Sequence, residues 1–402
     1  PKPPAERPPA FDDTSAAARA HWNRFWSTGG AIDLSGSQDP RWRELERRIV
    51  LSQYLTAIQC AGRYPPQESG LTFNSWEGKF HLEMHWWHAA QFALWGRLPL
   101  LEKSLGYYDA ILPKAKATAA RQGYAGARWP KMTDPAGHES PSSVGPFLVW
   151  QQPHPIFYAE LVYRERRDRA TLERFRDVVF ETAEFMASFP AWDAHAQRYV
   201  LGPPLNCAQE TYPKDRTTNC AFELSYWAWG LGTAQAWRER LGLPREARWD
   251  KVLRGLAAPV VSDGKYLFAE TAPDTYANPR WRTDHPSVVA ALGVLPGTGI
   301  DQAQEKKGEA INRAIAQIGN GMFLEASSLY RNQTAMQKFV NDVFCAEAKP
   351  VAAAVEQRIV LRGIQFDLDK YNIPEFALCK IGNSNCSDVA FNFYPLMIFC
   401  VL

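Results

Sequence analysis

The chain has no apolar run of 18 or more residues, so nothing in it reads as a membrane-spanning helix. Its net charge is only +2 over 402 residues, which removes the electrostatic footprint of a nucleic-acid binder. Seven cysteines are too few for a disulfide scaffold at this size, although Cys207 and Cys220 could pair across one loop. No fixed period supports a solenoid, and no strand-like alternation rivals the helical pattern. The chain opens "PKPPAERPP" with neither an initiator Met nor a signal sequence, as expected of a processed product or a fragment. Its compartment stays open, with a secreted or periplasmic one favoured.

What is present is a core-forming composition, 46% hydrophobic, and fifteen tryptophans. Amphipathic helical runs are expected at 39–59, 79–95, 98–121, 151–168, 169–188, 217–240, 245–256, 284–294, 301–317 and 321–340. Asp39 and Pro40 supply a cap and a first-turn proline for the first of these. Helices in succession joined by Gly-, Pro- and Asn-rich loops imply an all-α toroid of helical hairpins. Residues 1–13 read as a linker, 14–340 as the barrel, and 341–402 as a divergent segment that could complete the last hairpin. All fifteen Trp and all eight His lie at or before residue 285, whereas Cys345, Cys379, Cys386 and Cys400 fall after it.

In a toroid, the loops at one end surround the central cavity, and polar and aromatic residues concentrate there. "FHLEMHWWHAAQFALWGR" (80–97) raises the question of a metal, since His81 and His85 stand four apart in an expected helix. The order H-x-E-x-H is not that of zinc peptidases, which place Glu directly after the first His. His88 lies about 10 Å along such a helix from His81, too far for a shared ion. No metal and no cofactor are therefore expected. Flat indoles beside Glu, Lys, Gln and His suit instead the apolar face and the hydroxyls of a pyranose. The bland reading, that most of these tryptophans fill a core, stands beside it.

Four segments share this chemistry: "NSWEGKFHLEMHWWH" (74–88), "GARWPKMTDPAGHESPSS" (126–143), "VWQQPHPIFYAEL" (149–161) and "LNCAQETYPKDRTTNCAFELSYWAWGL" (205–231). Together they resemble the six-hairpin, or (α/α)6-barrel, glycoside hydrolases, families 65 and 95 in particular, over about residues 14–300. "FHLEMHWWH" answers the aromatic-Trp-Asp-Thr-Glu motif of family 65, "GARWPKM" looks like its GARFPW, and "CAQETYP" looks like its Gly-Pro-Asp-Glu-Tyr. "TTNCAFELSYWAW" resembles the helix after that motif, and "RTDHPSVVAALGVLP" (282–296) resembles the family's KQADVLLALYLLP. The resemblance implies an inverting glycosidase with Glu210 as general acid. The same scaffold carries phosphorylases, but "RTDH" replaces the Lys-Gln associated there with phosphate. A non-catalytic sugar-binding relative or an epimerase-like toroid completes the alternatives.

Residue chemistry supports the assignment. Glu210 lies among Gln209, Tyr212 and Pro213 before a Trp-rich helix, surroundings that raise a carboxyl pKa by desolvation. The expected sugar-binding set is Trp76, Lys79, His81, Glu83, Trp129, Lys131, Gln152, His154, Thr217 and Asn219. Glu83 could equally be a first-turn carboxylate, His154 a structural histidine and Thr217 an N-cap. An inverting mechanism also needs a second carboxylate to activate water. Asp284, with His285 beside it, is the expected base, and Glu325 the fallback. Asp284 could instead simply cap the helix at 284–294. The expected partner is an oligosaccharide or glycoside, with no nucleic acid and no membrane; oligomeric state is not readable. With no metal in the chemistry, prolonged chelation should leave glycoside turnover intact, and a stoichiometric zinc ion that restores activity would defeat this reading.

Overall fold

The computed structural model describes residues 9–301, apart from 32, 39, 41, 72–75, 283–286 and 294. Asp284, His285, Glu325, Asp39 and the expected helices at 301–317 and 321–340 lie outside the described residues. The described helices are α1 (Phe11–Thr28), α2 (Trp42–Cys60), α3 (His85–Leu94), α4 (Leu98–Arg121), α5 (His154–Arg166), α6 (Arg169–Ser188), α7 (Ala221–Arg240), α8 (Ala247–Gly255) and α9 (Ser287–Gly293). Three two-stranded antiparallel pairs interrupt them: β1 (Phe80–His81) with β2 (Met132–Thr133), β3 (Ala191–Asp193) with β4 (Arg198–Val200), and β5 (Val261–Ser262) with β6 (Lys265–Tyr266). Among the described residues, no helix is long and apolar enough to cross a membrane.

The packing order makes this an all-α toroid of helical hairpins. The helices α3, α5, α7 and α9 pack side by side as an inner layer, while α4, α6 and α8 pack against one another outside them. The sequence dictates the layer. An outer helix needs one apolar stripe, and α6 has it in Leu172, Phe175, Val178, Val179, Thr182, Ala183 and Met186. An inner helix is enclosed all round, and α7 is buried without interruption from Ala221 to Trp227. Helix starts are equally local. Asp168 caps α6 by accepting from Thr171 N at 2.7 Å, and prolines occupy the first turns of α4 and α5. The helix α1 was not among the expected runs.

Three tryptophans tie neighbouring helices together, their indole N–H groups each bonded. Trp227 donates to Met186 O at 2.7 Å, and Trp249 donates to Glu184 at 3.0 Å. Trp237 donates at 2.9 Å to Glu160, a buried carboxylate on α5 that also receives Arg240 at 2.6 Å and Arg164 at 2.9 Å. Burial pushes the Glu160 carboxyl up, but the two guanidiniums outweigh that and hold it below its ordinary value. This cluster joins α5 to α7. Glu160→Leu leaves both arginines and the indole without their acceptor, and chemical denaturation should show a loss of about 3 kcal/mol.

Candidate active site

Chain direction sends the segments before α3, α5, α7 and α9 to one end of the toroid, and the functional side chains come from these loops. The loop before α3 is pinned by β1: Phe80 pairs with Thr133, His81 with Met132, and His81 N donates to Pro66 O at 3.0 Å. Glu83 N then donates to Lys131 O at 3.2 Å. The helix expected at 79–95 is therefore present only as α3, His85–Leu94, its first residues being β1 and a turn. His81 lies on a strand and Glu83 in the turn before α3, so the four-residue spacing of His81 and His85 does not place them on one helix face. Glu83 is likewise not a first-turn carboxylate. His85 instead bonds Tyr108 and Ser104, both at 2.9 Å, inside the α3–α4 hairpin.

The loop before β2 needs Gly126, because a Cβ there would lie 2.3 Å from Glu181 O and Phe185 N, and its φ is +72°. Arg128, fully buried, donates from one nitrogen to the carbonyls of Gly145, Pro146 and Leu148. Gln152 grips the Trp129 peptide from both sides, accepting from its N at 2.8 Å and donating to its O at 2.7 Å. Together these bonds tie the loop carrying Lys131 to the loop carrying Trp150.

The loop before α7 carries Glu210. A disulfide joins Cys207 to Cys220 across it, with Cα atoms 6.1 Å apart. Ala208 N donates to Glu223 at 2.5 Å, Gln209 donates to Trp281 O at 2.5 Å, and Tyr212 stacks on Trp281 with centroids 5.0 Å apart. Asn219 holds the far end at φ 51°, a left-handed conformation an Asn tolerates when its side chain bonds locally; it accepts from Leu201 N and donates to Glu270.

These loops bring four charged or polar groups together. Glu83, with its side chain 7% exposed, accepts from Trp150 at 3.0 Å on one oxygen; its other oxygen takes His81 at 2.9 Å and Lys131 at 3.2 Å. Lys131 donates at the same time to Glu210 at 2.7 Å. Glu210 is the more open carboxylate, its side chain 24% exposed. Burial alone would raise the Glu83 carboxyl, but His81 and Lys131 outweigh it and hold it at about 2. At Glu210 burial prevails: it raises the carboxyl, Lys131 opposes, and the charge of Glu83 adds to the rise. Two neighbouring carboxylates are thus driven in opposite directions, Glu83 held down and Glu210 pushed up.

The remaining expected residues fall into three groups. His154 donates to the Glu83 carbonyl at 2.9 Å and meets the Tyr226 hydroxyl at 3.0 Å; burial lowers it to about 3, so it is a neutral support for Glu83. Trp129, Gln152, Thr217 and Asn219 are buried, with their polar atoms engaged in Thr182, the Trp129 peptide, Pro213 O, and Leu201 and Glu270 respectively. The structure makes them builders of the loops rather than a wall of the cavity. Thr217 is also not a helix cap, since the position before α7 belongs to Cys220. Trp76 is half exposed in a 3-10 turn, Trp76–Gly78, and Lys79 pairs with Glu77 at 3.0 Å. Glu68, absent from the expected set, is buried with one oxygen 3.4 Å from His81 Nδ1. Its only sequence signal was a Pro-rich loop, "YPPQESG", shortly before an inner helix.

No protein-family model matches the sequence, and no curated protein does. Solved structures do match. One is a putative kojibiose phosphorylase from the human microbiome, 12% identical, with a TM-score of 0.60; the alignment covers 96% of this chain and 59% of that one. The likeness establishes the fold, that of a six-hairpin toroid, and this chain spans about three fifths of that structure's length.

Lys131 opposes the raised carboxyl of Glu210, so removing it should send that carboxyl higher still. Difference infrared titration of the protonated carboxyl band, Glu210→Gln against its parent, should show the midpoint moving up in Lys131→Met. A downward move or none would contradict the arrangement.

Proposed function

We propose that this chain is a carbohydrate-active enzyme that cleaves glycosidic bonds, with Glu210 as general acid. The observation that carries this is the Glu83–Lys131–Glu210 arrangement. Glycoside cleavage needs a carboxylic acid that keeps its proton close to neutral pH and delivers it to the leaving oxygen. Burial and the adjacent Glu83 anion raise Glu210 in that direction. Once the proton has gone, Lys131 stands at 2.7 Å to stabilise the carboxylate left behind. Glu83 supplies fixed negative charge beside the developing oxocarbenium ion and an acceptor for sugar hydroxyls. Lys131 supplies a donor, and Trp150 an apolar wall.

Glu83 is a poor base for activating water. Its carboxyl sits at about 2, and its nearest oxygen and that of Glu210 are both bonded to Lys131 Nζ, so they lie at most about 6 Å apart. Inversion calls for roughly 6.5–9.5 Å. The base proposed is Asp284, the candidate of the sequence reading. The support is the likeness of "RTDHPSVVAALGVLP" to a cavity-lining helix segment of the resembled family; Asp284 itself lies outside the described residues.

Phosphorolysis is the second reading, favoured by the likeness to a putative kojibiose phosphorylase. Release of free sugar from aryl glycosides without added phosphate separates the two, and a strict phosphate requirement decides for the phosphorylase. Under either reading Glu210→Gln should cut turnover on poor leaving groups on the order of 10³-fold, and far less on activated leaving groups that need no proton. An equal loss on both kinds, or none on either, defeats the assignment of Glu210. Asp284→Asn should abolish hydrolysis on both.

A further inference from the structure

We infer that Glu68 is a positioning residue of this site, holding one proton in common with the His81 imidazole so that His81 always turns an N–H toward Glu83. The inference rests on the glycosidic reading above and adds a residue to it.

The geometry leaves two buried polar atoms, Glu68 Oε2 and His81 Nδ1, without a hydrogen-bond partner elsewhere, and they face each other at 3.4 Å. Two orphans that oppose each other in a dry site are satisfied together by a single proton between them. On the far side of the ring, His81 Nε2 lies 2.9 Å from Glu83 Oε2. The imidazole therefore bridges two carboxylates.

Three charge states can be written. With Glu68 ionised and His81 protonated, the ring donates to both carboxylates. With Glu68 protonated and His81 neutral, the Glu68 hydroxyl donates to Nδ1, which obliges Nε2 to carry the ring proton. The third, an ionised Glu68 beside a neutral ring, leaves one bare ring nitrogen against a carboxylate in either tautomer, Nδ1 against Glu68 or Nε2 against the Glu83 anion, and is disfavoured in both. The first two states share one property: Nε2–H stays on Glu83. Glu68 thus fixes the ring as a donor whichever atom holds the shared proton.

The surroundings fit. Burial raises the Glu68 carboxyl while the charges of His81 and Lys131 pull it back, and those of Glu83 and Glu210 push it up again. On its backbone side the Glu68 carbonyl accepts from His88 on α3 at 2.7 Å, and His88 is itself neutral at about 4 through burial. Around Glu83 the facing groups are His81, Lys131, Glu210 and His154. Of these, His81 and Lys131 hold Glu83 down as an anion; losing the Nε2–H donor removes one of the two restraints.

The test is a pH profile of kcat and kcat/KM on an aryl glycoside that the parent hydrolyses, measured for Glu68→Gln and Glu68→Leu. Gln keeps an N–H that can donate to Nδ1, so Nε2–H stays on Glu83. It should retain the parental acid limb and most of the turnover. Leu cannot serve Nδ1, so Glu83 should protonate at a higher pH. The acid limb should climb toward neutrality and kcat should fall roughly tenfold or more, with KM changed far less. Should the Leu variant not fold, Glu68→Asp, shortened by one methylene, carries the same expectation at smaller size. A Leu or Asp variant with the parental limb overturns the inference, whatever its Tm, and leaves the glycosidic reading standing. A parent that neither turns over aryl glycosides nor binds an iminosugar overturns both.

Discussion

An ionised carboxylate with almost no access to water has to be solvated by the protein, and Glu83 imposes that demand on everything around it. Its two oxygens take Trp150, His81 and Lys131, while His154 holds its backbone carbonyl. These donors come from three separate segments: β1, the stretch leading into β2, and the loop before α5 together with the first residue of that helix. Only when the hairpins stand in their proper relation do all four bonds form together. The electrostatics of one side chain therefore sets the register of the loops, and the shape of the site and its charge are a single problem with a single solution. Lys131 extends the arrangement outward, since the ammonium that stabilises Glu83 is also the one that meets Glu210.

The toroid supplies what such a site needs. Enclosed inner helices give a rigid floor, and the outer helix α6 braces the loop that carries Lys131, with Glu181 O accepting from Ala127 N and Thr182 from the Trp129 indole. The loop before α7 shows how tightly such a segment can be held. A covalent bond from Cys207 to Cys220, the Glu223 carboxylate under Ala208, and the Tyr212–Trp281 stack all act within a few residues of Glu210. The acid is placed by its neighbours' backbone and rings, and its own carboxyl is left with Lys131.

Much of this was legible in the sequence where the signal is local. The bounds of α4 and α6 are those expected, because prolines in a first turn and Asp168 as a cap are decided within a few residues. The stretch before α3 was misread for the opposite reason. Residues 80–84 fit a helical period, but their backbone is recruited by residues 131–133, about fifty positions away, and periodicity carries no information about such a partner. The same holds for the site. Glu210, Glu83, Lys131 and His81 do meet, as residue chemistry and the family resemblance implied together. Gln152, Trp129, Thr217 and Asn219 have the right chemistry in the right loops and direct it at main-chain and core atoms instead. Residue type cannot tell a side chain that faces a cavity from one that faces the peptide next door. Glu68 was missed because a lone acidic residue in a Pro-rich loop matches no motif, and its meaning comes from the His81 ring.

The hydrogen bond from the Trp150 indole to Glu83 has a spectroscopic side. An indole whose N–H rests on a buried anion has its excited state coupled to that charge, and its ring packs edge-on to His154 with centroids 4.8 Å apart. Whatever displaces water from the site, or shifts the proton on its acid, alters the field at that one chromophore. Three other tryptophans, with their N–H groups on Met186, Glu184 and Glu160, stand in the helical layers instead. The molecule thus carries a chromophore at the place where the charge resides.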